Sequence, residues 1–163
     1  MLSICDMISI WGYPIMDDLR VILQDSGYPF EIIQHENPIR SAQEGADYFG
    51  IEIGQTARTL VLRSDQGYHA MIVSGDRSRV NFEEVSDMLE CRLLKLANPK
   101  EVQQITGCTV GSVPLVGLSL PCIVDKQLNP YPWIYGGTGA PTSTLKIIPA
   151  ALERLNKVIA FLN

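Results

Sequence analysis

Thr59-Leu-Val-Leu-Arg-Ser-Asp-Gln-Gly-Tyr-His-Ala-Met-Ile-Val73 holds two β-type runs, Thr59 to Arg63 and Tyr68 to Val73, around the turn residues Asp65, Gln66 and Gly67. Apolar and β-branched runs flanking a short polar turn with glycine predict a β-hairpin. A hairpin is antiparallel, whereas parallel neighbours need a crossover of a dozen or more residues. A purely parallel, doubly wound sheet is therefore excluded. Working upstream, Ile15, Leu19, Ile22 and Leu23 keep helical spacing, with Asp17 and Asp18 in the first turn and Gly27 past the end. Phe30 to His35 is a short β-type run, and Ser41 with Glu44 forms a capping box for a helix that Gly50 closes. Downstream, Asn81 caps a helix through Leu89 that turns Phe82, Val85, Met88 and Leu89 to one face.

Cys91 to Leu96 reads as a strand, and Asn98-Pro99 starts a helix that Gly107 ends. Three more strands are expected in Leu120 to Asp125, Trp133 to Tyr135 and Thr144 to Ile148. Pro149 opens a final helix whose stripe is Ala151, Leu152, Leu155, Ile159 and Leu162. Helices and strands interleave without repeat or linker. The expected architecture is one α+β domain with a central mixed sheet flanked by helices.

Between the Asn98 helix and the strand ending at Asp125 lies Thr106-Gly-Cys-Thr-Val-Gly-Ser-Val-Pro-Leu-Val-Gly117. Its glycines permit close backbone approach and positive φ, and its proline removes a donor. Such a segment is either a rigid connector or a cradle that aims backbone N–H groups at a carbonyl or carboxylate. The 163 residues are enough for one domain with a sizeable core, and 46% hydrophobic against 19% charged residues is a globular balance. A net charge of −5 opposes bulk binding to nucleic acid, DNA included, while leaving room for a pocket that reads one nucleotide end. Cys5, Cys91, Cys108 and Cys122 are widely spaced and no histidines cluster, so no metal site and no cofactor are expected. The thiols fit a reducing cytoplasm. The apolar start, Met1 to Trp11, carries Asp6 and no basic leader, so it reads as a terminal strand or extension rather than a signal peptide. No run reaches the length of a membrane span.

Taken in order, these elements resemble the YbaK/prolyl-tRNA-synthetase-associated family of aminoacyl-tRNA editing domains. His35-Glu-Asn-Pro38 followed by Ser41-Ala-Gln-Glu44-Gly-Ala46 is similar to the family's first helix motif, and Thr56-Ala-Arg58-Thr-Leu-Val-Leu62 to its Lys-Thr-Leu strand. Ser74-Gly-Asp76, Asn98-Pro99 with Val102, the loop from Thr106 to Gly117, Cys122-Ile-Val-Asp125 and Tyr135-Gly136-Gly137 continue the series. The resemblance covers about residues 15–155. It implies a barrel-like mixed sheet, with residues 1–13 as an N-terminal extension and 14–163 as the editing domain.

The resemblance also implies deacylation, in trans, of mischarged aminoacyl-tRNA such as Cys-tRNA(Pro) or Ala-tRNA(Pro), by water or the substrate's own thiol, without metal. Catalytic positions are then Arg58, Gly111 and Ser112, and substrate-binding positions His35, Val113, Pro114, Leu115, Gly136 and Gly137. The implied partner is the aminoacyl-tRNA 3′ end, with an aminoacyl-tRNA synthetase as a further companion. Three positions depart from the family pattern. Arg58 replaces a lysine, Leu115 stands where a proline is usual with Pro114 one place earlier, and Thr144 falls where some cysteine-specific members carry an acid. Arginine keeps the charge but cannot act as a neutral amine. Two alternatives to the hydrolase stay open: a non-catalytic module for tRNA 3′ ends, nucleotides or an amino-acid-like ligand, and an interaction domain that docks on a synthetase.

Overall fold

Residues 15–163 are described by a computed structural model. The extension expected at 1–13, with the run from Met1 to Trp11 and Cys5, lies outside them. Helix α1 (Ile15–Ser26) leads to β1 (Phe30–Gln34) and α2 (Ala42–Phe49). The hairpin follows as β2 (Thr56–Ser64) and β3 (Gly67–Ser74), then α3 (Phe82–Leu89), a two-residue β4 (Lys95–Leu96) and α4 (Pro99–Thr106). After the glycine loop come β5 (Cys122–Asp125), β6 (Ile134–Gly136), β7 (Ser143–Ile147), α5 (Ala150–Leu155) and β8 (Val158–Leu162).

The eight strands make one mixed sheet in the order β1-β7-β6-β2-β3-β5-β8, with β4 on β2. The hairpin expected there pairs antiparallel from Ala57↔Ser74 to Ser64↔Gly67, so its turn is Asp65-Gln66 and Gly67, expected in the turn, already belongs to β3. Pairs β2·β6, β3·β5 and β5·β8 are parallel. Among the described strands β1 and β8 do not pair with each other, so the sheet is not closed into the barrel-like form expected.

Alternation along β3 sets two cores on opposite faces, as a period of two requires. Ala70 and Ile72 join Leu19, Leu23, Ile134, Leu145, Ile147 and Leu152, under α1 and α5. Met71 and Val73 join Leu62, Ile123, Leu162 and Val85, under α3. Each such aliphatic side chain, fully buried, stabilises the fold by about 1.5–3 kcal/mol relative to exposure. Caps fix the helix starts. Ser41 accepts from the Glu44 N–H, Asn81 from Glu83 and Glu84, and Asn98 closes a reciprocal box with Glu101.

Two expectations are corrected. Cys91 to Leu96 is strand only at Lys95–Leu96. The Arg92 N–H and C=O are drawn instead to the Asp65 carboxylate and N–H at the hairpin turn, and Leu93 takes φ 60°. The final helix stops at Leu155, and Val158–Leu162 is a strand beside β5. Asn156 makes the break: its side-chain amide donates to the Leu115 carbonyl and accepts from the Leu118 N–H. The five residues after Lys157 are then two-faced, with Ile159 49% exposed and Leu162 buried.

Candidate active site

β2 and β6 pair only through Thr56↔Tyr135 and Ala57↔Gly136, and farther along β2 the same edge is taken by β4 at Leu62 and Arg63. The glycine loop fills the opening between them. The Thr59 hydroxyl donates to the Pro114 carbonyl, and the Leu115 N–H donates to the Gly137 carbonyl. Gly139 N–H donates to the Ser112 carbonyl at 2.7 Å. Contact is close at both glycines: a Cβ on Gly137 would collide with the Val113 carbonyl, and one on Gly136 with the Leu115 side chain and the Ala57 carbonyl. Any side chain at Gly137 has to push the loop off the sheet. The loop tip turns at Gly111, φ 90°, where Ser112 N–H donates to the Thr109 carbonyl and the two hydroxyls meet at 2.9 Å.

Beside this loop opens a cleft of about 710 Å³. Its walls come from the chain before α2, from α2 itself, from β2, the end of β3, the loop and β6–β7. The row Ala57–Gly136–Leu145 crosses three strands, with Ala57 and Leu145 in the core. Arg58 and Thr144 each stand one residue beyond that row on its same side, so both face away from the core and into the cleft.

The electrostatics of the cleft oppose those of the chain. Arg40, Arg58 and Arg77 line it and no Asp or Glu does, although the net charge is −5. Arg77 is spent on structure. Its guanidinium forks onto Asp125, 2.8 Å on both oxygens, and also donates to the Asn163 carbonyl. Burial by itself pushes the Asp125 carboxyl up, but the Arg77 fork and the N–H groups of Gln127 and Ser74 outweigh it and hold the group below its ordinary value. Arg58 is exposed, and among the described residues no acid or carbonyl pairs with its guanidinium.

The expected site residues divide into walls and supports. His35, Arg58, Gly111, Ser112, Val113, Gly136 and Gly137 all line the cleft. Pro114 and Leu115 do not: Leu115 is 0% exposed, packed in the main core with its N–H and C=O both bonded. It supports the floor from beneath. The Gly111 and Val113 N–H groups make no hydrogen bond within the described residues; Gly111 is exposed and Val113 buried. His35 is held on both sides, Nδ1 2.7 Å from the Asn37 carbonyl and Nε2 3.0 Å from the Thr144 hydroxyl. Phe49 and Tyr135 pack ring to ring at 5.1 Å along the same wall.

Sequence reasoning missed Arg40 and Arg77 as cleft residues. Nothing local marks the Arg77–Asp125 pair, whose members lie 48 positions apart. Cys108 is no nucleophile: it is buried, and burial pushes its thiol up. Among the described residues no group of three His, Cys, Asp or Glu side chains could hold a metal ion, and no helix is long and apolar enough to cross a membrane.

A family model for the aminoacyl-tRNA editing domain matches residues 36–155. The proline–tRNA ligase of Caldicellulosiruptor saccharolyticus is 32% identical over 91 residues, 56% of this chain and 16% of the ligase. That of Desulforamulus reducens is 37% identical over 90 residues, 55% of this chain and again 16% of the ligase. The chain thus matches about a sixth of the length of these curated relatives. Among solved structures, a candidate trans-editing enzyme for prolyl tRNA synthetase superposes with a TM-score of 0.79 at 27% identity, covering 90% of this chain and 94% of that one. With the match spanning α2 to α5 and taking in the glycine loop, β2 and β6, this chain belongs to the aminoacyl-tRNA editing domain family.

Proposed function

We propose that the protein is a deacylase that hydrolyses mischarged aminoacyl-tRNA in trans, with alanyl- or cysteinyl-tRNA(Pro) as its substrate class. The observation that carries this reading is a cationic cleft without carboxylates in an acidic chain, set against a loop with unspent N–H groups. A tRNA 3′ end brings phosphates to the one and an ester carbonyl to the other. Arg58 supplies a fixed charge and a bidentate fork for a phosphate of the terminal nucleotide. The Gly111 and Val113 N–H groups take the carbonyl oxygen as it gains negative charge, an arrangement that needs no proton transfer from the protein.

Water adds to the ester carbon, the ribose oxygen leaves with a proton, and the amino acid is freed. For a cysteinyl ester the substrate's own thiol serves as the first nucleophile, giving a cyclic thioester that water then opens. Backbone donors fixed between β2 and β6 are preorganised, because the hydrogen bonds of Leu115 and Gly139 to Gly137 and Ser112 hold the loop before substrate arrives.

The second reading is a binding module without turnover. It is favoured by the commitment of both His35 ring nitrogens, which leaves the described cleft without a free imidazole as general base. Deacylation of a panel of radiolabelled aminoacyl-tRNAs separates the two. Release of alanine or cysteine from tRNA(Pro), above the spontaneous rate, is expected. Saturable tRNA binding without release of any amino acid overturns the deacylase in favour of the module.

A further inference from the structure

We infer that the Thr144 hydroxyl is the acceptor for the substrate's α-ammonium group and so makes the cleft specific for esters with a free amine; this rests on the deacylase reading. The Asn37 carbonyl beside His35 Nδ1 can only accept, so Nδ1 carries the proton. In the neutral ring Nε2 is then an acceptor, and the bond across 3.0 Å takes its proton from Thr144. With its proton committed, the Thr144 oxygen offers only lone pairs, and no other donor among the described residues occupies them. Both side chains are more than nine-tenths buried or at that limit, Thr144 at 7% and His35 at 9% exposed, yet both line the cleft.

The cleft lacks any carboxylate, so an ammonium group entering it must be met by neutral oxygens. Position selects this one. Thr144 and Arg58 stand one residue beyond the row Ala57–Gly136–Leu145, on β7 and β2, two strands apart. Two inter-strand spacings come to about 10 Å. That separation places the ammonium away from the guanidinium, and Gly111 and Val113, whose N–H groups make no hydrogen bond within the described residues, line the same cleft. His35 is a positioning residue: it touches no substrate and sets which way the Thr144 hydroxyl points.

The test uses tRNA(Pro) ending in 3′-amino-3′-deoxyadenosine, joined by a stable amide either to alanine or to propanoate, which differs only in lacking the amine. Binding is measured by calorimetry on the whole chain. The parent protein should prefer the alanyl form by about tenfold or more, as expected for a hydrogen bond to a charged group. Thr144→Val, matched in shape but without an acceptor, should bring the two affinities within about twofold. Thr144→Ser should restore the preference. His35→Phe should lower it partway with circular dichroism unchanged, which a purely structural role would not do. Equal binding of both forms by the parent, or an unchanged preference in Thr144→Val, overturns the inference while leaving the deacylase standing. Failure of both forms to bind overturns the deacylase reading and this inference together.

Discussion

Arg58 and Arg77 face one cleft, yet the fold uses them in opposite ways. Arg77 ends in a fork on a carboxylate that is 0% exposed, and it also donates to the Asn163 carbonyl just past β8. Arg58 is exposed, has no partner among the described residues, and starts the stretch of β2 from which β6 departs. Charge type is the same; what differs is whether an internal anion has already used it. A paired, buried cation is an element of stability, whereas an unpaired one held in a cleft is a place for an external anion.

Breaking the structural arginine should have the largest effect. Asp125→Ala leaves Arg77 largely buried without its counter-charge, which typically destabilises a fold by about 3–5 kcal/mol. Denaturant unfolding would measure it. In the intact protein the depressed Asp125 value stabilises the fold above the unfolded carboxyl value of about 4, and that contribution is lost as pH falls through the folded value. The variant should lack this acid limb. If it unfolds at the same denaturant concentration and keeps the limb, the pair contributes nothing.

Next comes the glycine loop, which lines the same cleft as the two arginines. Gly137→Ala sets a methyl against the Val113 carbonyl and must displace the N–H groups above β6. Loss of one oxyanion donor typically costs about 2.7–4 kcal/mol of transition-state stabilisation, or roughly 100- to 1,000-fold in rate. Deacylation should fall by that order while circular dichroism stays near the parent's. Undiminished turnover in a folded variant would reduce the loop to a connector. By contrast, a Cβ on Gly111 meets nothing within 4 Å, so substitution there acts through its φ of 90° alone. That costs about 1–3 kcal/mol of strain and should be felt as lost loop order.

Arg58→Ala should weaken tRNA binding by about 1.5–3 kcal/mol while leaving unfolding almost unchanged, the reverse of Asp125→Ala. The loss should shrink as salt is added, because an exposed contact is screened. Arg58→Lys keeps the charge and should retain turnover. Equal affinity of Arg58→Ala and the parent at all salt concentrations would erase the contrast between the two arginines.

The smallest expected effect concerns His69, buried on β3 with Nδ1 unpartnered; burial lowers its value below that of a free imidazole. The unfolded chain then binds the proton more readily, so stability should fall as pH drops from about 6.5 through the folded value. His69→Met should flatten the unfolding midpoint between pH 7 and 5. An unaltered slope would assign that limb to other groups.

Local signals carried most of the elements. The hairpin, the Ser41, Asn81 and Asn98 caps, and the Gly50 and Gly107 stops all stand where the sequence placed them, because turns and caps are set by residues within four positions. The last segment misled for the same reason. Ala151, Leu152, Leu155, Ile159 and Leu162 fit a helical stripe, but the Asn156 side chain is drawn to Leu115 and Leu118, about 40 residues earlier. In the site, the family motifs marked Arg58, the glycine loop and Gly136-Gly137, which all reach the cleft. Leu115 turned inward: its side chain packs against Gly136, which has no Cβ to obstruct it, and joins the main core.

The sequence by itself determined a mixed α+β domain of the editing family and the glycine loop that distinguishes it, since periodicity, caps and ordered motifs are properties of neighbouring residues. Tertiary structure alone decided the rest. It parted β2 from β6 so that the loop could seat between them, neutralised Arg77 through Asp125 while leaving Arg58 without a partner among the described residues, and set His35 against Thr144 across 109 positions. Charges and hydroxyls acquire roles from their partners. Strand order chooses those partners, and it is settled by which apolar faces can be buried together over the whole chain.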